Sequence, residues 1–325
     1  MRACRTIILI GILASSRLLG TQDVHDRIQI TSSTAEAISL FGKPLFPPPL
    51  SQQVRAQLEE ELAVARQNYE DDSSNVENVI WLGRRSAYLW KYRDAIAIFS
   101  RGIEMHPEEA RLYRHRGHRF ITIREFDQAI QDLEKASRLM EGKEDAIEPD
   151  GQPNRLNIPT STVKFNIWYH LGLAYYLNGN YESALRAYWQ CLAYSWTNDD
   201  RLCATSDWLY MTLRRLGREE EASNILEPIH GSMHIIENVS YHRRLLMYKG
   251  QLPPDSLLHL RNASDTDIAT QGYGVANWFL YNGNIEKAKN LMERIHAGSG
   301  WNAFGYIAAE ADLKRLRSQT ESEDP

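Results

Sequence analysis

The sequence predicts an all-α fold, a row of stacked helical pairs. Three observations carry the prediction. Gly83 and Gly117 stand 34 residues apart, as do Ala95 and Ala129, Tyr92 and Phe126, and Phe99 and Leu133. Gly179, Gly217 and Gly283 each precede an alanine by five residues, at Ala184, Ala222 and Ala288. The chain has 325 residues, 43% hydrophobic and 24% charged, which is enough apolar material for a sizeable core.

Residues 1–20 begin with the basic MRACR and continue with the uncharged TIILIGILASS. This is the layout of a secretory signal peptide, with Ala14 and Ser16 as small residues ahead of a cleavage point. The apolar run is short for a bilayer span, and no later segment is apolar enough to cross one. Export to a periplasmic or secreted location is the expectation. An uncleaved segment would instead anchor the protein to a membrane, and a buried first element is the structural alternative. Residues 21–50 contain FGKPLFPPPL and are expected to be extended. They form either a linker laid along the helices or a strap anchored by Phe46 and Leu50. Residues 51–75 place Val54, Leu58, Leu62 and Ala65 at helical spacing, as an N-terminal capping helix would.

Residues 76–325 hold the repeats. The third copy, WYHLGLAYYLNGNYESALRAYWQCLAY, places Trp168, Leu171, Gly172 and Tyr175 ahead of Ala184 and Tyr188. That spacing is W-x2-L-G-x2-Y and then A-x3-F, with Tyr in the last slot. By it the chain resembles the tetratricopeptide-repeat family, as an exported bacterial member. The resemblance implies a right-handed solenoid of helix-turn-helix pairs closed by a C-terminal capping helix, and a concave groove that binds a peptide or a partner domain. The spacing has a physical reason. Gly and Ala twelve residues apart face each other across two antiparallel helices and let the backbones approach. One pair cannot bury its apolar side alone, whereas stacked pairs can.

Later copies weaken. Gly217, Gly250 and Gly283 keep a spacing of 33 residues, but the copy at Gly250 lacks the alanine and carries Pro253-Pro254, which predicts a short second helix. The stretch GWNAFGYIAAEADLKRLRSQ repeats only a first helix, and Glu310, Asp312, Lys314, Arg315 and Arg317 are expected on its polar outer face. Residues 141–162 break the period with a Pro-, Asp- and Asn-rich insertion, read either as a lid on the concave surface or as a solvated spacer.

The formal net charge of -5 argues against a general nucleic-acid-binding protein. Once residues 1–20 are set aside, Cys191 and Cys203 remain, either paired in an oxidising compartment or buried as small apolar residues. Asn238 and Asn262 begin glycosylation triplets.

Phosphate-loop, nucleophile-elbow and zincin motifs are absent, so the chain is expected to be no enzyme and to need no cofactor. A metal-dependent enzyme using His115, His118 and His170, and a membrane-tethered assembly factor, are the alternatives. The repeat register nominates Arg84, Tyr88, Arg111, Arg114, His115, His118, Thr122, Tyr169, Leu173, Tyr176, Asp207, Met211, Arg214 and Arg215 as the lining of the inner groove. Guanidinium groups fork carboxylates and tyrosines give rigid contact area, so the expected partner is a protein or peptide bearing acidic groups. Ile80 and Arg84 occupy the places where the family's dicarboxylate clamp would need other residues, and that clamp is not carried over. Arg116 and Arg119 are expected to face solvent.

Overall fold

The structure, a computed structural model, describes residues 34–258 and 265–323, with side chains as far as residue 319. The expected signal segment and Asn262 lie outside the described residues. Helix α1 (Gln52–Asp71) precedes six pairs: α2 (Val76–Tyr88) with α3 (Tyr92–Met105), α4 (Ala110–Thr122) with α5 (Phe126–Leu139), α6 (Val163–Leu177) with α7 (Tyr181–Ala193), α8 (Asp199–Arg215) with α9 (Glu219–Ile225), α10 (Val239–Tyr248) with α11 (Asp255–Leu258), and α12 (Asp265–Tyr281) with α13 (Ile285–His296). Helix α14 (Phe304–Glu323) ends the row. Strands β1 (Ala37–Ile38) and β2 (Pro44–Leu45) form a small antiparallel hairpin ahead of α1.

Each of the first three pairs is drawn together by one contact. A Cβ added at Gly83 would lie 2.4 Å from the Phe99 ring, one at Gly117 2.8 Å from Leu133, and one at Gly172 2.7 Å from Tyr188. In all three the partner is sixteen residues on, and Ala95, Ala129 and Ala184 are fully buried beside it. A side chain at these glycines would drive the helices apart. The period is thus a packing requirement, written as glycine and read as a short interhelical distance.

The turn inside each pair needs a left-handed residue where the first helix ends. Glycine supplies it at Gly179, Gly217, Gly250 and Gly283, all with φ between 71° and 82°. In the first two pairs the same place is held by Trp90 (φ 63°) and Arg124 (φ 72°). A non-glycine residue costs about 1–2 kcal/mol there. Both side chains reach the end of the chain. Trp90 packs edge-on to Trp301 at 5.1 Å, and Arg124 donates to the Trp301 carbonyl at 2.9 Å and pairs with Glu310 at 2.8 Å. The strained turns therefore hold the C-terminal segment.

That segment differs from its expected place. Glu310 and Asp312, read from the sequence as an outer polar face, are 0% and 1% exposed. Helix α14 packs against α12 and α13 and also touches α6, with Phe304 against the rings of both His118 and His170. Only its distal part, from Lys314, returns to solvent. The proline-containing stretch also differs within the described residues. It folds as the β1–β2 hairpin and docks on this same end: Leu40 N donates to Glu310 Oε1 at 2.7 Å, and Trp301 Nε1 donates to the Phe46 carbonyl at 2.7 Å. The Phe46 side chain stays 45% exposed. Helix α1 buries Leu58, Leu62 and Ala65 and leaves Val54 outside.

The 141–162 insertion is ordered against α2, α4 and α6. Its two limbs are tied by an antiparallel bridge between Ile147 and Thr162, and Val163 N donates to the Ala146 carbonyl at 2.9 Å. Gly151 lies on Tyr88 with no room for a Cβ, and Arg85 donates to its carbonyl at 2.8 Å. Cys191 and Cys203 are free and buried. Cys191 contacts the Thr205 hydroxyl at 3.2 Å.

Candidate functional site

The inner-face side chains fall into two groups. Toward the C-terminal end they are consumed by one another. Asp207 and Arg244 pair at 2.8 Å with both side chains at 0% exposure. Arg215 pairs with Asp312 and donates to Asn277 Oδ1 at 2.7 Å. Arg214 meets Glu219 at 3.3 Å and lies over the Tyr281 ring. Tyr176 bonds Tyr273 at 2.8 Å and accepts from Asn277. Tyr169 accepts from Trp208 Nε1 at 2.9 Å and donates to Tyr241. Apart from the Arg214–Glu219 pair these polar groups are largely buried, where partners are needed to offset the loss of water.

Toward the N-terminal end the pairing is incomplete. Arg111 is neutralised by Glu109 and Glu77, which hold its guanidinium well above the ordinary range despite burial. Thr122 bonds back to the His118 carbonyl. Arg84 lies over the Trp81 ring at 4.6 Å and reaches the Tyr88 hydroxyl at 3.4 Å, with no carboxylate bonded among the described residues. Arg119 lies over the Tyr92 ring at 5.6 Å and likewise bonds no carboxylate. It was expected in solvent but faces inward, one helical turn beyond His115. Burial pulls its guanidinium down to about 10, with Arg114 and Arg84 adding to the effect, so it stays charged at neutral pH. Arg116, the other residue expected in solvent, forks Asp132 with two bonds of 2.7 Å.

One carboxylate enters this end from the insertion. Glu148, 3% exposed, approaches Arg114 Nη1 at 3.2 Å and His115 Nε2 at 3.4 Å, and accepts from Asn166 Nδ2 at 2.9 Å. Arg114 donates to His115 Nδ1 at 2.8 Å, which leaves the His115 proton on Nε2, facing Glu148. The buried Arg114 Nε has no partner. Beside this cluster is a cavity of about 170 Å³ lined by the apolar Ile80, Trp81, Ile147 and Pro149, by Arg84, Arg111 and His115, and by the carboxylates of Glu77, Glu109 and Glu148.

The three histidines do not assemble as a metal centre. His118 and His170 sit with ring centroids 4.3 Å apart, while His115 is turned to Arg114 and Glu148 and stacks on Phe99. His170 Nδ1 donates to the Asn166 carbonyl at 2.6 Å. Among the described residues no three His, Cys, Asp or Glu side chains converge as a metal ion requires. Burial first, and the neighbouring arginines second, push the His115 and His170 pKa values well below the usual histidine range; His118 is lowered in the same way. Neutral rings therefore floor this part of the inner face at pH 7.

Register reasoning nominated Arg84, Arg114, His115 and His118 but not Arg119 or Glu148, which the structure places beside them. Arg119 was legible, since it follows His115 by four residues and shares its helix face. Glu148 was not, because the insertion has no period to place it.

Among the described residues no helix is long and apolar enough to cross a membrane. The sequence model described as tetratricopeptide repeat matches residues 165–195, which span nearly all of α6 and α7. No curated protein matches the chain. Among solved structures it is similar to a crystal structure of MamA, at 17% identity over 62% of this chain and 95% of that one, with a TM-score of 0.42. It is also similar to YrrB, titled a TPR protein with an unusual peptide-binding site, at 14% identity over 76% of this chain and 97% of that one, with a TM-score of 0.39. Residues 165–195 thus match the tetratricopeptide repeat, and the same glycine contact recurs in the two helical pairs before them.

Proposed function

We propose that this chain is a non-catalytic interaction scaffold that binds an acidic segment of a partner protein at Arg84, Tyr88 and Arg119, on the inner face of α2 and α4. The observation that carries the reading is the difference in pairing. Arg111, Arg214, Arg215 and Arg244 each bond a carboxylate, whereas Arg84 and Arg119 bond none among the described residues and keep partial contact with solvent. A partner's carboxylate would supply what the fold omits, at a place where charge-assisted bonds are only partly screened. The adjacent cavity would take an apolar side chain of the same segment. The acidic total charge of the chain supports a protein partner over nucleic acid. The basic-then-apolar start of the sequence supports export.

The test is fluorescence anisotropy with labelled ten-residue peptides, acidic, neutral and basic, otherwise matched. The acidic peptide is expected to bind best and to weaken as salt rises. In the Arg84→Ala/Arg119→Ala variant its affinity is expected to drop about tenfold or more, or ~1.4 kcal/mol. Equal binding of the three peptides, or unchanged affinity in the double variant, would overturn the reading.

A further inference from the structure

The insertion that brings Glu148 to the inner face also covers two residues of the acidic-segment site. A Cβ added at Gly151 would collide with the Tyr88 hydroxyl and lie 2.7 Å from Arg84 Nη2. Gly151 therefore lies directly on both groups, and a partner segment cannot engage them fully while that stretch stays in place. The cover over Arg84 is backbone rather than charge. Arg85 donates to the Gly151 carbonyl at 2.8 Å, whereas Arg84 reaches only the Tyr88 hydroxyl. Three residues earlier, the Glu148 carboxylate does to Arg114 and His115 what a partner's carboxylate would do to Arg84 and Arg119. Residues 141–162 carry five carboxylates and two cations, so the insertion has the chemistry of the occupant proposed for this face.

Its attachment is polar. Ile147, Leu156 and Ile158 are 67%, 43% and 46% exposed, and the buried residues of the insertion are Glu148, Gly151 and Thr160. At the far side Glu237 accepts from Asn154 Nδ2 at 2.6 Å and from the Thr160 hydroxyl at 2.7 Å. Like charges crowd where the insertion docks. Burial, with the nearby Glu237 and Glu148 carboxylates adding to it, pushes the Asp150 pKa up against the pull of Arg84. A segment held by a few polar bonds, with its apolar side chains in water, opens at lower cost than an element of the core.

We infer that the 141–162 insertion is an internal competitor for the acidic-segment site: residues 148–151 occupy the inner face, and a partner's acidic segment binds by displacing them from Arg84 and Tyr88. The inference rests on the acidic-segment reading and adds to it the regulation of that site. The closed insertion lowers the partner's apparent affinity by the fraction of molecules that are open, so anything that loosens its attachment strengthens binding.

The experiment follows hydrogen exchange by mass spectrometry across residues 141–162 of the full chain, with and without the acidic ten-residue peptide. Saturation with that peptide is expected to speed exchange there at least about threefold, and the basic peptide to leave it unchanged. Asn154→Ala/Thr160→Val removes both bonds to Glu237, alters no charge and leaves Arg84, Tyr88 and Arg119 in place. This variant is expected to bind the acidic peptide about fivefold more tightly than wild type by anisotropy. Unchanged or slower exchange in the peptide-bound wild type overturns the inference, and so does unchanged or weaker binding by the variant. If the acidic peptide nevertheless binds wild type, the competitor alone falls and the acidic-segment reading stands. If it binds neither protein, both fall.

Discussion

The two ends of the inner face are built from the same residue type and behave oppositely. Toward the C-terminal end, Arg215 and Arg315 converge on Asp312, and Arg244 meets Asp207 with both side chains fully buried. Toward the N-terminal end, Arg84 and Arg119 meet aromatic rings. The first set is structural because the fold brings an acid to each guanidinium. The second is available because it does not. In the proposed reading a groove arginine becomes a binding group through what fails to arrive beside it, and register alone does not reveal that.

Arg244→Ala should give the largest effect. It leaves Asp207 buried without its partner, and a loss of about 3–5 kcal/mol in urea denaturation is expected. A loss under about 1 kcal/mol would break the comparison, since the C-terminal ion pairs would then not be holding the fold.

A smaller effect concerns the neutral floor beneath the free arginines. The folded pKa values of His118 and His170 lie well below 6.5. As pH falls below about 6.5 the unfolded chain takes up protons first, so stability is lost on acidification toward the folded values. Asp207, pushed up to about 7 by burial against the pull of Arg244, works in the opposite sense over part of this range. The informative quantity is therefore a difference. Wild type should lose more stability between pH 7.5 and 5 than His118→Gln/His170→Gln, by about 1 kcal/mol or more, read from urea midpoints. Parallel profiles would mean that these rings are solvated.

Arg119→Ala should change stability least, by no more than about 0.5 kcal/mol in thermal or urea unfolding. A loss above about 2 kcal/mol would make Arg119 as structural as Arg244 and dissolve the contrast between the two ends.

Much of this organisation was legible from residue spacing, for reasons that can be named. Gly83, Gly117 and Gly172 meet partners sixteen residues on, inside one helical pair, so a contact that is spatially demanding is also local in sequence. The glycine-to-alanine interval of five marked the turns at Gly179, Gly217 and Gly283 correctly. Trp90 and Arg124 at the equivalent turns broke that pattern, and they are the residues that grip the chain's far end. Glu310 and Asp312 misled because charged residues on a terminal helix ordinarily face water, whereas here arginines from distant repeats neutralise them.

By itself, then, the sequence determined the all-α pairing: small residues at a 34-residue interval set helix-to-helix distance within each pair, and that distance is a short-range steric fact. The tertiary structure alone decided which arginines are spent. Arg215 meets Asp312 across 97 residues and Arg124 meets Glu310 across 186, separations over which small rotations between successive pairs accumulate. Whether a carboxylate reaches a guanidinium depends on that sum, and with it whether an inner-face arginine anchors the fold or awaits a partner.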